Sequence, residues 1–343
     1  MIPLSVLDLV PVREGGTVAE ALGASVALAQ AAERAGYRRF WVAEHHAMDG
    51  IAGGATSVVL ARIGAATASI RVGSGGIMLP NHTPFQIAEQ FGTLDAMFPG
   101  RVDLGLGRAP GAGPELQRAL RKNLREAAEM FPQDVVELRA LITGDLDLPV
   151  KATPGFGSRP ELWILGSSLF GASLAAKLGM PYAFAAHFAP DHLDTALALY
   201  RQRFEPSAQL DRPHVMVAMN VFCGDTREEA ELIASSQAQS FVGLRAGNPG
   251  KLPPPVPNYR DTLPPQGRAL LDHLGQAAAV GTPEQVTTTM AAFVERTGAD
   301  EVIVAGATFD PAARVRSLEL TMQALQQRQT QSPAAERLTS AAQ

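Results

Sequence analysis

The chain reads as an α/β protein, a closed (β/α)8 TIM barrel, on three observations. Eight short apolar runs recur along it, each separated from the next by Ala/Leu-rich sequence with three- and four-residue spacing. The runs are apolar almost throughout rather than alternating, which marks strands buried on both faces, as in a parallel sheet covered by its own crossover helices. No linker interrupts the pattern before residue 326. Eight such units in one chain favour closure over an open doubly wound sheet. The open sheet also lacks its phosphate-binding signature, because the third glycine of G-x-G-x-x-G is Pro110 after "GLG" (105–107) and Met78 after "GSG" (73–75). A Walker A motif is absent too.

In chain order, the first strand run is "IPLSVLDL" (2–9). A helix follows, with Thr17 and Glu20 as a capping box, Val18, Leu22, Val26 and Ala29 on one face, and Gly36 as its stop. The second and third runs are "RFWVAEH" (39–45) and "RVGSGGIML" (71–79), with a helix opening at Thr56 between them. Thr83-Pro84 opens the helix before the fourth run, "RVDLGLGR" (101–108). The fifth and sixth are "ELWILGSS" (161–168) and "PYAFAAHF" (181–188), and Pro190-Asp191 opens the helix after them. The seventh is "HVMVAMNVF" (214–222), followed by a helix start at Thr226. A further start at Thr282-Pro283 precedes the eighth run, "DEVIVAGATF" (300–309). Each opening places a Ser, Thr or Asp oxygen, or a proline without an N–H, where the first turn has unbonded donors.

Residues 1–325 are therefore expected to form one domain. Within it, 244–267 carries seven prolines and is too long and irregular for an ordinary connection. It predicts a lid insertion over 244–280, a mobile cover on the strand C-termini. Residues 326–343 lose the apolar period and are expected to be a disordered tail.

The formal net charge of -5, with Lys and Arg scattered, excludes the electrostatic footprint of a nucleic-acid or anionic-membrane partner. Cys223 is the sole cysteine, so neither an intramolecular disulfide nor a thiolate metal cluster can form. The first ten residues have no basic segment before their apolar stretch, and no eighteen apolar residues run without a charge. These features together predict a soluble, unexported, cytoplasmic protein acting on a small molecule.

Active groups of a barrel sit at strand C-terminal ends, where the second run closes with Glu44, His45 and His46. Neighbours on a strand point to opposite faces, so the two histidines cannot share one ion, and no metal is expected. One should face the barrel mouth while the other satisfies Glu44. The third run has three glycines in five positions, Gly73, Gly75 and Gly76, a cost in strand stability that needs an offset. Either a flat ligand lies against Gly75-Gly76, with an unusual geometry such as a non-prolyl cis peptide, or a neighbouring element packs closely there. Arg108 ends the fourth run, and Gly166, Ser167 and Ser168 end the fifth before a helix that opens at about Gly171. Arg, Ser hydroxyls and unbonded helix N–H groups together suit a phosphate.

The stretches "AEHH", "VGSGGIMLPNHTPFQIAEQFGTLDAMFPGRVDLGLGR" and "GSSLFGASLAAKLGMPYAFA" make the chain resemble, over nearly its whole length, the bacterial luciferase-like monooxygenases, flavin-dependent (β/α)8 barrels. The resemblance implies reduced FMN from a separate reductase, O2 and a small organic substrate. It selects His45 over His46 as the histidine beside the flavin ring, with Glu44 adjoining. It places a cis peptide at Gly75-Gly76, and the flavin phosphate at Arg108 and Ser168 with Ser167 and Gly171 beside them. Ser167 stands where the luciferase catalytic subunit has an acid and Gly107 where it has a cysteine, so long-chain aldehyde luminescence is not implied. A deazaflavin F420-dependent hydride transferase of the same fold and a non-catalytic flavin-binding protein are the alternatives. The resemblance also implies a homodimer through 56–69 and 85–97.

Overall fold

The computed structural model describes residues 2–109, 114–144 and 149–340. Its strands are β1 (Leu4–Asp8), β2 (Arg39–Val42), β3 (Arg71–Met78), β4 (Val102–Gly107), β5 (Glu161–Gly166), β6 (Tyr182–Phe184), β7 (Val215–Cys223), β8 (Ala278–Gly281) and β9 (Glu301–Ala305). The pairing is parallel throughout, and β1 to β7 followed by β9 close into an eight-stranded ring through the β6–β7, β7–β9 and β9–β1 ladders. Helices cover its outside, as the uninterrupted apolar strands require.

One strand was not foreseen. β8 lies outside the ring on the end of β7, pairing Asn220–Cys223 with Ala278–Gly281, just beyond the point where Met216–Asn220 pairs with β9. With nine residues, β7 outruns its ring neighbour, and β8 takes the ladder groups that β9 cannot reach. Its run of alanines carries helix propensity, which tertiary pairing overrides.

Alternation of side chains sorts the barrel interior into layers. At the N-terminal end, buried Arg39 bonds Asp103 at 3.0 Å, Glu301 at 3.1 Å and Glu161 at 3.2 Å. Above it sit Leu7, Trp41, Trp163, Met216 and Ile303, with the Trp41 Nε1 donating to Asp103 at 2.9 Å. Nearer the C-terminal end the inward residues shrink to Ala43, Ala183, Ala218 and Ala305. The interior is thus filled below and left shallow above.

The proline-rich insertion is anchored at that upper end. Leu252 bridges to Arg13 in the loop after β1, accepting from Glu14 N at 2.8 Å and donating to Val12 O at 2.9 Å. Gly250 packs on Gly50 in the loop after β2 so closely that a Cβ there would lie 2.1 Å from its carbonyl oxygen. Two helices, Tyr259–Thr262 and Pro265–Gly275, follow within the insertion. The final helix is Pro311–Ser340, continuing through 326–340, the segment expected to be a tail; 341–343 lie outside the described residues.

Replacing Arg39 by Ala removes the buried cation shared by Asp103, Glu161 and Glu301. The expected loss is about 3–5 kcal/mol, read as a lowered urea midpoint at unchanged slope; an unchanged midpoint contradicts it.

Candidate active site

Glu44, His45 and His46 leave the C-terminal end of β2 together, and the structure separates their roles. Glu44 is 2% exposed. Its Oε1 accepts from the Nε2 of both His46 and His82, the latter at 2.6 Å, and its Oε2 accepts from Met78 N at 2.9 Å. Burial alone would raise its pKa; the hydrogen bonds from the two imidazoles and from Met78 N, with the charge of His82, outweigh that and hold it at about 2. The same bond raises the pKa of His46 against its burial. The histidine that satisfies Glu44 is therefore His46, as the alternation of faces requires for one of the pair.

His45 stands outside this network through its Nδ1, which is buried and has no hydrogen-bond partner among the described residues. Burial lowers its pKa, with Glu44 opposing and His46 assisting, so the ring is neutral near pH 7. Sequence reasoning did not single out His82, although the motif "PNHTPF" holds it between a turn and the Thr83 helix cap. That turn is itself tied down by Lys122 Nζ, which donates to the carbonyls of Pro80 and His82.

Glu44, His46 and His82 also present three metal-ligating atoms within 4.8 Å of one another. Two ligands on one tetrahedral ion stand about 3.3 Å apart, given bonds of 2.0–2.1 Å. The 2.6 Å between Glu44 and His82 is instead a hydrogen-bond length, so the cluster is read as a carboxylate held by two imidazoles.

The Gly75-Gly76 peptide bond is cis, and both residues remain partly exposed. A Cβ on Gly75 would fall 2.5 Å from Leu7 Cδ1, and one on Gly76 2.7 Å from the Gly105 carbonyl oxygen. The β4 backbone thus requires glycine at 76, whereas at 75 the obstacle is the tip of the Leu7 side chain. On the next strands, Arg108 directly follows β4 and lies 4.0 Å from the centre of the Phe170 ring. Ser168 is the N-cap of the helix Leu169–Leu178 yet makes no side-chain cap hydrogen bond, and its carbonyl accepts from Tyr182 Oη at 3.2 Å. Gly166 and Gly171 face one another, a Cβ on the first lying 3.7 Å from the Cα of the second. The predicted residues thus fall into two groups on one end of the ring: Glu44 and His45 with Gly75-Gly76 on the β2–β3 side, Arg108, Gly166, Ser167, Ser168 and Gly171 on the β4–β5 side.

The profile of the luciferase-like monooxygenases matches residues 2–301. The chain belongs to that family. A luciferase-like monooxygenase of Escherichia coli K12 is 46% identical over 94% of this chain and 96% of its own length. An N-acetyl-S-alkylcysteine monooxygenase of Bacillus subtilis is 37% identical over 72% of this chain and 75% of its own. The solved structure of apo-MsnO8 is 34% identical, spans 95% of this chain and 99% of its own, and superposes with a TM-score of 0.86. Two more distant structures share the fold at a TM-score of 0.67: the oxygenating constituent of a Pseudomonas putida 3,6-diketocamphane monooxygenase in complex with FMN, and an F420-dependent secondary alcohol dehydrogenase. This luciferase-like protein is accordingly an oxidoreductase on a TIM barrel. Among its described residues no helix is long and apolar enough to cross a membrane.

Because the Glu44 pKa is depressed in the folded protein, its contribution to stability is complete above the ordinary carboxylate value of 4.5 and is lost as pH falls toward 2. Glu44→Gln should cost on the order of 2–3 kcal/mol near neutrality, with the gap from the parent protein narrowing steadily below pH 4.5. Denaturant unfolding at pH 7, 5 and 3 checks this, and a gap independent of pH is the contrary result.

Proposed function

We propose that this luciferase-like protein is a monooxygenase that takes reduced FMN from a separate reductase and uses it with O2 to oxygenate a small organic substrate. The observation that carries the reading is the pairing of a buried, neutral His45 on one side of the mouth with the Arg108–Ser168 group on the other. A flavin mononucleotide has two unlike ends to match them, a flat ring system with hydrogen-bonding edges and an anionic phosphate tail.

The residues present fit that cofactor. The hydroxyl of Ser168 is not spent on capping its own helix, and with Ser167, Arg108 and the first N–H groups of Leu169–Leu178 it would hold a phosphate. The partly exposed Gly75-Gly76 backbone and the small residues of the upper barrel layer would leave room for the ring. Bound in its reduced form, FMN supplies the two electrons with which one atom of O2 enters the substrate and the other leaves as water. His45, neutral at working pH, can accept or donate a proton at Nδ1, and Glu44 keeps its loop in place through His46, His82 and Met78. The proline-rich insertion, anchored on the loops after β1 and β2, would restrict water at the mouth.

Under this reading His45→Ala lowers turnover about 10²-fold or more while FMN affinity stays within about threefold. Arg108→Ala does the reverse, weakening FMN binding about 10-fold or more through a lost charge-assisted contact. Fluorescence titrations with FMN and, in parallel, F420, together with oxygen uptake on reduced FMN, separate the two cofactors and the two roles. Preference for F420 without oxygen uptake would refute the monooxygenase assignment.

The protein is further proposed to act as a cytoplasmic homodimer through the helices Thr56–Ala66 and Pro84–Met97, where Val58 is 68% and Met97 51% exposed. Val58→Glu should then halve the mass seen by sedimentation equilibrium, and a parent protein that sediments as a monomer sinks the idea.

A further inference from the structure

His187 lies three residues beyond β6, the strand opposite β2 in the eight-stranded ring, so it and His45 approach the mouth from opposite sides. The two share an unusual property. The Nδ1 atoms of both are buried without a hydrogen-bond partner among the described residues. A buried polar atom left unbonded is destabilising and calls for a reason.

The backbone of His187 is held firmly while its ring is left spare. Its carbonyl accepts from Asn220 Nδ2 at 2.8 Å; Asn220 Oδ1 accepts from Gln237 Nε2 at 2.7 Å; Gln237 Oε1 accepts from Ala307 N at 2.6 Å. This chain runs from the loop after β6 across β7 and the following helix to the end of β9, and every polar group along it is used. Only the imidazole Nδ1 is not. Burial, and secondarily His45, pushes its pKa down to about 4, so it is uncharged near neutrality. Its chain neighbour Phe188 stands at the rim, with its ring 6.3 Å from that of Phe241 and 5.6 Å from the guanidinium carbon of Arg245.

We propose that His187 is a substrate-contacting residue whose Nδ1 hydrogen-bonds an uncharged polar atom of an otherwise apolar substrate, across the mouth from His45. This deepens the proposed function and rests on it, because it assigns the mouth to the substrate as well as to the cofactor. A neutral imidazole offers a single directional contact and carries no charge of its own to pair with an anion. The structure thereby selects for a small apolar molecule with one uncharged hydrogen-bonding group and against a carboxylate at that point.

Cyclohexanone serves as the neutral polar probe, methylenecyclohexane as its apolar match and cyclohexanecarboxylate as its anionic one. Binding is followed at pH 7 by the imidazole 15N resonances of histidine-labelled protein, with His187 assigned by its loss in His187→Asn. Asn carries an amide nitrogen close to the Nδ1 position, whereas Leu has no polar atom there. The expected results are a His187 shift with cyclohexanone but not with the carboxylate, roughly 10-fold weaker cyclohexanone binding in His187→Leu, and binding within about threefold of the parent in His187→Asn. Methylenecyclohexane should bind all three proteins alike, and the melting temperature of His187→Leu should be unchanged or higher, since an unsatisfied polar atom is removed. A still His187 resonance, equal cyclohexanone affinity in the parent and Leu proteins, or a destabilised His187→Leu with equal losses for both neutral probes overturns the proposal. FMN affinity is titrated separately in the same proteins. It should not depend on residue 187, and failure of the parent protein to bind FMN removes the flavin reading on evidence independent of the cyclohexanone result.

Discussion

A carboxylate that is 2% exposed must find donors inside the protein, and Glu44 finds three, from three separate places in the chain. His46 comes from its own loop, Met78 N from the last residue of β3, and His82 from the turn beyond. One buried charge thus joins the end of β2 to the end of β3, and it does so beside the glycine pair. The consequence for His45 is positional. Flanked by two residues whose side chains are committed to the same ion pair, its loop has little freedom, and its Nδ1 is the buried atom left to meet a ligand.

The two ends of the barrel solve opposite problems with the same alternation of side chains. At the N-terminal end, Arg39 gathers Asp103, Glu161 and Glu301 into an ionic cluster beneath Trp41 and Trp163, to which Arg38 and Arg71 add their charges. At the other end the inward positions become Ala43, Ala183, Ala218 and Ala305, and polar atoms on His45 and His187 go unmatched. The ionic cluster and the large side chains are concentrated at one end, the proposed reactive groups at the other. The insertion reinforces that division. Its backbone bonds to Val12 and Glu14 and its contact with Gly50 all fall on loops leaving the strand C-termini.

Much of this was legible in residue order. Eight apolar runs corresponded to the eight ring strands, because a strand covered on both faces must be apolar along its whole length. Thr17, Thr83, Thr226 and Thr282 were readable as helix caps because capping is a contact between near neighbours. That one of His45 and His46 would satisfy Glu44 followed from the two-residue period of a strand, while the choice of His45 as the other and the cis bond at Gly75-Gly76 came with the family resemblance. By contrast β8 was missed, since its alanines favour a helix locally and become a strand only because β7 extends past β9. The reason for Gly76 was likewise undecidable in one dimension, being set by the Gly105 carbonyl from β4.

The amino-acid sequence by itself therefore determined the barrel, the positions of its strands and caps, and which residue types stand at the strand ends, all of which follow from local periodicity and near-neighbour chemistry. Only the tertiary structure decided that His82 completes the Glu44 network, that His187 comes to the mouth opposite His45, and that the insertion settles on the loops after β1 and β2. Those are contacts between residues tens to hundreds of positions apart. Their geometry is imposed by ring closure, which no local pattern encodes.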